Sequence, residues 1–148
     1  MSERLEILRR IERQYLRDQL GELELQMVDA YVLRLLARQT DALRQEDIAQ
    51  WIVLDKGSVA RSVARLEKRG LIARTVSDQC RREKRVALTT AGADANARIS
   101  RILDTWNAIR YQGFTEDERF LYESFLERIT ENVTQYRQGG THNGQKSH

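Results

Sequence analysis

The sequence predicts a mainly α-helical fold with a small β wing. Three observations carry that prediction. Apolar residues recur at spacings of three and four along most of the 148 residues, the pattern of amphipathic helices. Two β-prone runs, Leu71–Ser77 and Arg85–Thr89, flank a polar, basic stretch and read as a hairpin. Between Asp55 and Gly70 lies one helix with an apolar stripe on one side and cations on the other.

The elements follow in order. Residues 2–20 carry Leu5, Leu8, Ile11, Tyr15 and Leu16, an amphipathic helix that Gly21 breaks. Residues 23–39, with Leu25, Val28, Val32, Leu35 and Leu36, form a second, more buried helix. Thr40–Leu43 is a short connection. Gln45–Leu54 is a third helix with Ile48, Ala49 and Ile52 inward. Asp55 caps the fourth, because its carboxylate suits the free N–H groups and positive end of a helix, and Gly70 stops it. After the hairpin, residues 91–112 form a long helix with Ile99, Ile102, Leu103, Trp106 and Ile109. Thr115 and Glu118 make a capping box for a last helix bearing Leu121, Phe125, Leu126, Ile129, Val133 and Tyr136. A polar, Gly-rich tail begins at Gly139. The order is α-α-(β)-α-α-β-β-α-α, with the bracketed strand short.

Helix, turn, helix and hairpin from Gln45 to Thr89 make a winged helix-turn-helix. On a wheel of the fourth helix Val59, Val63 and Leu66 share a stripe, while Gly57, Arg61 and Lys68 lie opposite with Ser58 and Arg65 beside them. A recognition helix needs that layout, since one face is held while the other enters a major groove. Charge agrees. The net charge is only +3, but Asp55–Arg85 holds ten Lys/Arg against four Asp/Glu, a local excess of +6 that leaves the remainder at about −3. A basic patch on a near-neutral chain is the footprint of a phosphate-facing surface.

Composition excludes several other classes. One cysteine allows neither an internal disulfide nor a multi-cysteine metal cage. Both histidines, His142 and His148, lie in the tail, so no histidine-based triad or metal site is expected in the core. No Gly-rich phosphate loop appears. An enzyme, a bound cofactor and a structural metal are therefore not expected. No apolar run approaches a membrane span and no signal-peptide core is seen, so the expected location is cytoplasmic. The expected organisation is one domain over 1–148. In it, residues 23–92 form the DNA-binding unit, 1–20 and 93–138 the dimerisation helices, and 139–148 a flexible tail. The terminal stripes lie outside the winged unit and need a partner surface, which argues for a homodimer.

The chain resembles the multiple antibiotic resistance regulator (MarR) family over roughly residues 5–136. The resemblance rests on Gln45-Glu-Asp-Ile-Ala49, Asp55-Lys-Gly-Ser-Val-Ala-Arg61, Leu66-Glu-Lys-Arg-Gly-Leu-Ile72, Arg81-Arg82 and Val86-Ala-Leu-Thr-Thr-Ala-Gly92. It implies a dimeric winged-helix regulator of transcription bound to a pseudo-palindromic duplex operator. Similar proteins are most often repressors released by small aromatic or lipophilic compounds. Three positions depart from the pattern. Arg44 replaces the hydroxyl cap of the third helix, Leu23-Glu24 replaces that of the second, and Cys80 stands where an acid would support Arg82, with Asp78 displaced.

The DNA-facing set is Lys56, Gly57, Ser58, Arg61, Ser62, Arg65, Lys68, Arg81, Arg82 and Lys84. Arg61 can pair bidentately with guanine and Ser58 can reach a base or a phosphate. Arg65 and Lys68 suit phosphates, and the wing cations suit a narrow minor groove. Tyr15, Leu16, Met27, Tyr31 and Trp106 either line an effector pocket or are core. Cys80, followed by two arginines that lower a thiol pKa, is either a redox switch or an inert small residue. The alternative functions are redox control through Cys80 and a winged helix used only for protein–protein assembly.

Overall fold

The computed structural model describes residues 2–77 and 80–143, with side chains described for 2–75 and 84–140. The elements are α1 (Glu3–Glu22), α2 (Met27–Arg38), β1 (Leu43–Arg44), α3 (Gln45–Ile52), α4 (Lys56–Lys68), β2 (Ile72–Ser77), β3 (Cys80–Leu88), α5 (Thr90–Arg110) and α6 (Glu116–Asn143). They fall into two compact units, one ending at Trp106 and one beginning at Asn107.

In the first unit one apolar core joins α1 through α5. Val32, Leu33, Leu35 and Leu36 of α2 meet Ile48 and Ala49 of α3, Val59, Val63 and Leu66 of α4, and Ile99 of α5. The sheet lies over this core through Ile72 and Val86. Its strand order is β1-β3-β2, all antiparallel, with Ile72 opposite Leu88 and Leu43 opposite Val86. The connection expected at Thr40–Leu43 thus ends in a two-residue strand. That strand sets the start of α3 against the root of the wing.

Helix ends obey local chemistry, with two corrections. Gly21 does not break α1, which runs to Glu22. The left-handed residue is Glu24, at φ 55°. The chain reverses there because Leu25 N–H returns to Leu20 O at 3.0 Å, the closing bond of a Schellman-type end. The guanidinium of Arg69 donates to Glu24 O at 2.7 Å and Leu23 O at 3.1 Å. A contact 45 residues away in sequence therefore ties down the strained turn. Accordingly α2 begins at Met27 rather than residue 23, with Gln26 as its N-cap residue. The Gln26 N–H donates to the Asp29 carboxylate at 2.9 Å, the N3 half of a capping box.

The α3–α4 turn passes through Val53 in the left-handed region, φ 58° and ψ 46°, while Leu54 N–H reaches back to Ala49 O at 3.1 Å. Gly70, at φ 72°, ends α4 as expected, and Leu71 behind it is buried.

In the second unit Thr115 and Glu118 form the expected box. The Thr115 N–H donates to Glu118 at 2.9 Å, and the Glu118 N–H donates to the Thr115 hydroxyl at 3.1 Å. The Thr115 N–H and hydroxyl hold the Glu118 carboxyl below the usual carboxylate range. Helix α6 continues to Asn143, past the Gly139 at which a tail was expected.

Candidate nucleic-acid interface

Helix α4 presents the two faces that its wheel predicts. Val59, Val63 and Leu66 are fully buried, whereas Lys56, Gly57, Arg61 and Lys68 are exposed. At its N-terminus a chain of hydrogen bonds runs outward. The Ser58 N–H and hydroxyl donate to the Asp55 carboxylate at 2.8 and 2.7 Å. The Arg61 guanidinium then donates to the Ser58 oxygen at 3.2 Å. The Ser58 hydroxyl and N–H, with the Arg61 charge beyond them, hold the Asp55 carboxyl below the usual carboxylate range. Asp55 is thus anionic at neutral pH, and Arg61 is held over the first turn. Gly57 lies under it, since a Cβ there would come 3.3 Å from the Arg61 guanidinium. Lys84, on β3, is exposed as well.

Ser62 does not belong to this surface. It is fully buried, and its hydroxyl donates to Asp29 at 2.6 Å. The reason is angular: Ser62 lies three residues after Val59 and four before Leu66, so it shares their face of the helix and turns with them toward the core. Arg65 is half withdrawn as well, pairing with the same Asp29 oxygen at 2.8 Å. The side chains of Cys80, Arg81 and Arg82 lie outside the described residues.

Several wing-region cations brace the fold. Arg69 holds the α1–α2 turn as above, Arg74 pairs with Glu67 at 2.5 Å, and Arg85 donates to Ala42 O at 3.3 Å. The local charge excess is therefore partly internal. At the foot of α3, Arg44 donates twice to Asp47, at 3.0 Å each. The Arg44 hydrogen bonds and charge, then Arg85, hold the Asp47 carboxyl below the usual carboxylate range.

The expected effector pocket has a counterpart with a different wall. A cavity of about 230 Å³ is lined by Leu16, Leu20, Met27, Ala30, Tyr31, Arg34, Arg38, Ile99, Ile102 and Leu103. Leu16, Met27 and Tyr31 were anticipated. Tyr15 and Trp106 are not on the wall. They stack on each other with ring centroids 5.0 Å apart, and the Trp106 indole N–H donates to Glu12 at 2.8 Å. Periodicity alone could not tell which of the neighbouring apolar residues of α1, Tyr15 or Leu16, faces the cavity. Arg34 and Arg38 were missed; the signal was cations spaced at four within an apolar helix.

The model of the MarR family matches residues 23–83. The HTH-type transcriptional regulator YybA of Bacillus subtilis strain 168 is 24% identical over 103 residues, covering 70% of this chain and 67% of that protein. The crystal structure of MarR superposes with a TM-score of 0.76 at 29% identity, covering 91% of each chain.

Its winged unit matches the MarR family model, and its fold is that of MarR.

Its likeness is therefore to transcriptional regulators rather than enzymes, and its winged unit is a DNA-binding fold. A further MarR-fold neighbour is CouR from Rhodococcus jostii RHA1, solved bound to p-coumaroyl-CoA. It is 23% identical with a TM-score of 0.74, covering 84% of this chain and 87% of that one. Among the described residues no helix is long and apolar enough to cross a membrane.

Proposed function

We propose that this chain is a MarR-family regulator, a homodimeric, sequence-specific repressor that leaves its operator when a small aromatic or lipophilic acid fills the cavity beneath α2. The observation that carries the DNA reading is the outward hydrogen-bond chain Asp55–Ser58–Arg61 on a helix whose other face is wholly buried. A preset guanidinium on a recognition helix suits the two acceptors of guanine in the major groove.

Supporting the dimer, α1 exposes Leu5, Ile7 and Ile11, and α6 exposes Phe120, Leu121, Phe125, Ile129 and Val133. Apolar faces of that extent mark an association surface. Two copies would present two recognition helices to half-sites about one helical turn apart. Supporting the ligand, the cavity wall is apolar except for Tyr31, Arg34 and Arg38, and the two arginines suit a carboxylate. At about 230 Å³ it lies below the roughly 300–1,000 Å³ of drug-sized pockets, so a single ring fits. That a neighbour of the same fold binds an aromatic acyl thioester is in keeping with an aromatic acid moiety.

The test is a gel shift on a duplex that the protein itself selects from a random-sequence pool. Six to ten phosphate contacts per dimer predict an affinity loss of roughly 10³–10⁵ between 50 and 200 mM salt. Binding indifferent to salt over that range would refute the DNA reading. Benzoate added to the complex tests the cavity: release in the parent but not in Arg34→Ala supports the acid ligand, and equal behaviour of the two removes it.

A further inference from the structure

We propose that Asp29 is a positioning residue for DNA recognition: it touches no nucleic acid but sets the rotation of α4 through Ser62 and Arg65. The proposal rests on the DNA-binding reading above. Asp29 is 2% exposed and lies on the buried stripe of α2 with Val32, Leu33 and Leu36, where an apolar side chain would be the ordinary choice. Its two oxygens have separate tasks. One accepts the Gln26 N–H at 2.9 Å and caps α2. The other accepts both the Ser62 hydroxyl at 2.6 Å and the Arg65 guanidinium at 2.8 Å.

An ion pair with one buried partner is poor evidence for stability, because the desolvation of Asp29 offsets much of the attraction. Its directional bonds do something that an apolar contact cannot, which is to admit one geometry. The burial of Val59, Val63 and Leu66 is non-directional, whereas hydrogen bonds weaken steeply as their geometry turns. The Ser62 and Arg65 bonds would both weaken if α4 turned on its axis. Ser62 and Arg65 are one turn apart on α4, so together they define its rotation about its axis, and Arg61 is the residue next to Ser62. A second sign points to a held rather than a loose side chain: the Arg65 Nε is buried and makes no hydrogen bond. Arg65 keeps this position despite an unmet donor, so the grip at its other end governs where it sits. Because the same carboxylate caps α2, whose Met27, Ala30 and Tyr31 line the cavity, the clamp also joins cavity wall to recognition helix.

The test uses the full-length protein and two duplexes, the one selected by the parent and a scrambled duplex of equal length. The readout is the ratio of the two affinities, which neither a reduced folded fraction nor a lost phosphate contact changes. Asp29→Asn should lower that ratio at least tenfold, with the mass of the assembly unchanged. Arg65→Gln should do likewise, and the double variant should be no worse than the poorer single one, since both act through one contact. An Asp29→Asn protein with the parental ratio overturns the proposal, as does a double variant whose loss is the product of the single losses. Should Asp29→Asn fail to fold, Ser62→Ala keeps the charge pair and removes one bond. A threefold or greater fall in the ratio supports the clamp, and a smaller change overturns it. A parent that selects no duplex overturns the DNA reading itself, and with it this proposal, whereas a selective parent with indifferent variants overturns the clamp alone.

Discussion

Arg61 sits at the outer end of a chain of bonds that begins at a helix cap. Asp55 satisfies one of the free N–H groups in the first turn of α4, Ser58 passes the contact outward, and the guanidinium is restrained before any DNA arrives. Restraint of this kind lowers the entropy lost on binding. Arg61→Ala should therefore weaken binding to the selected duplex by about 1–3 kcal/mol, and less on scrambled DNA. Equal losses on the two duplexes in a titration would reduce Arg61 to a phosphate contact. A second residue-scale case lies at the α5–α6 turn. There Tyr111 is flanked by the Arg110 and Arg119 guanidinium groups over its ring, and its hydroxyl donates to Glu123. Burial, then the bond to the Glu123 carboxylate, pushes the Tyr111 phenol up to about 12. A raised folded-state value means that this contact stabilises fully below the ordinary value near 10 and is lost as pH rises through about 12. Ultraviolet titration should show a tyrosinate step near pH 12 that is missing from Tyr111→Phe. A parent without that late step would contradict the contact.

At the scale of elements, two backbone positions decide how α4 and the wing are mounted. Gly92, in the first turn of α5, faces the carbonyl of Leu71, and a Cβ there would lie 1.9 Å from that oxygen. The Thr89 hydroxyl fixes the approach by donating to Gly70 O at 2.6 Å and accepting from Gly92 N–H at 3.1 Å. This is the physical content of the Leu88-Thr-Thr-Ala-Gly92 run. Alanine gains about 1 kcal/mol of helix propensity over glycine, but so close an approach to backbone demands a shift of the strand. Gly92→Ala should lose about 2 kcal/mol net, read by urea denaturation; a more stable variant would disprove the close packing. Val53 presents the reverse case. A β-branched residue at positive φ is strained by roughly 1–2 kcal/mol, and Val53 is 46% exposed, so little burial is lost by trimming it. Val53→Gly should raise stability by up to about 1 kcal/mol, visible as a higher Tm. A fall in Tm would mean that the valine side chain packs more usefully than its exposure implies.

For the whole molecule, the question is what covers α1 and α6. Phe120, Phe125 and Ile129 are 71%, 52% and 57% exposed, too much apolar surface for a lone chain. Light scattering at micromolar concentration should give twice 17.3 kDa. Phe125→Glu, which sets a charge in that face, should give the single-chain mass and lose the selected duplex while the helical circular dichroism stays near that of the parent. A parent of single-chain mass would undo the dimer and weaken the two-half-site operator model together.

What the sequence determined by itself was what neighbouring residues decide. The α4 stripe of Val59, Val63 and Leu66, the Asp55 cap, the Gly70 stop and the Thr115–Glu118 box all depend on partners within about one helical turn, so spacing and residue type suffice. The charges needed more. Sequence counted ten cations near α4 and the wing as one patch, but Arg65, Arg69, Arg74 and Arg85 turn to Asp29, the α1–α2 turn, Glu67 and Ala42. Ser62 looked like part of the DNA face and proved to be core. Asp29 drew no notice, although a carboxylate on an apolar stripe was there to be seen. These outcomes rest on partners 33 to 46 residues apart for Ser62, Arg65 and Arg69. Helical periodicity places a side chain on a face of its own helix. Only the packing of one helix on another decides whether that face meets water, an opposite charge or a strained turn.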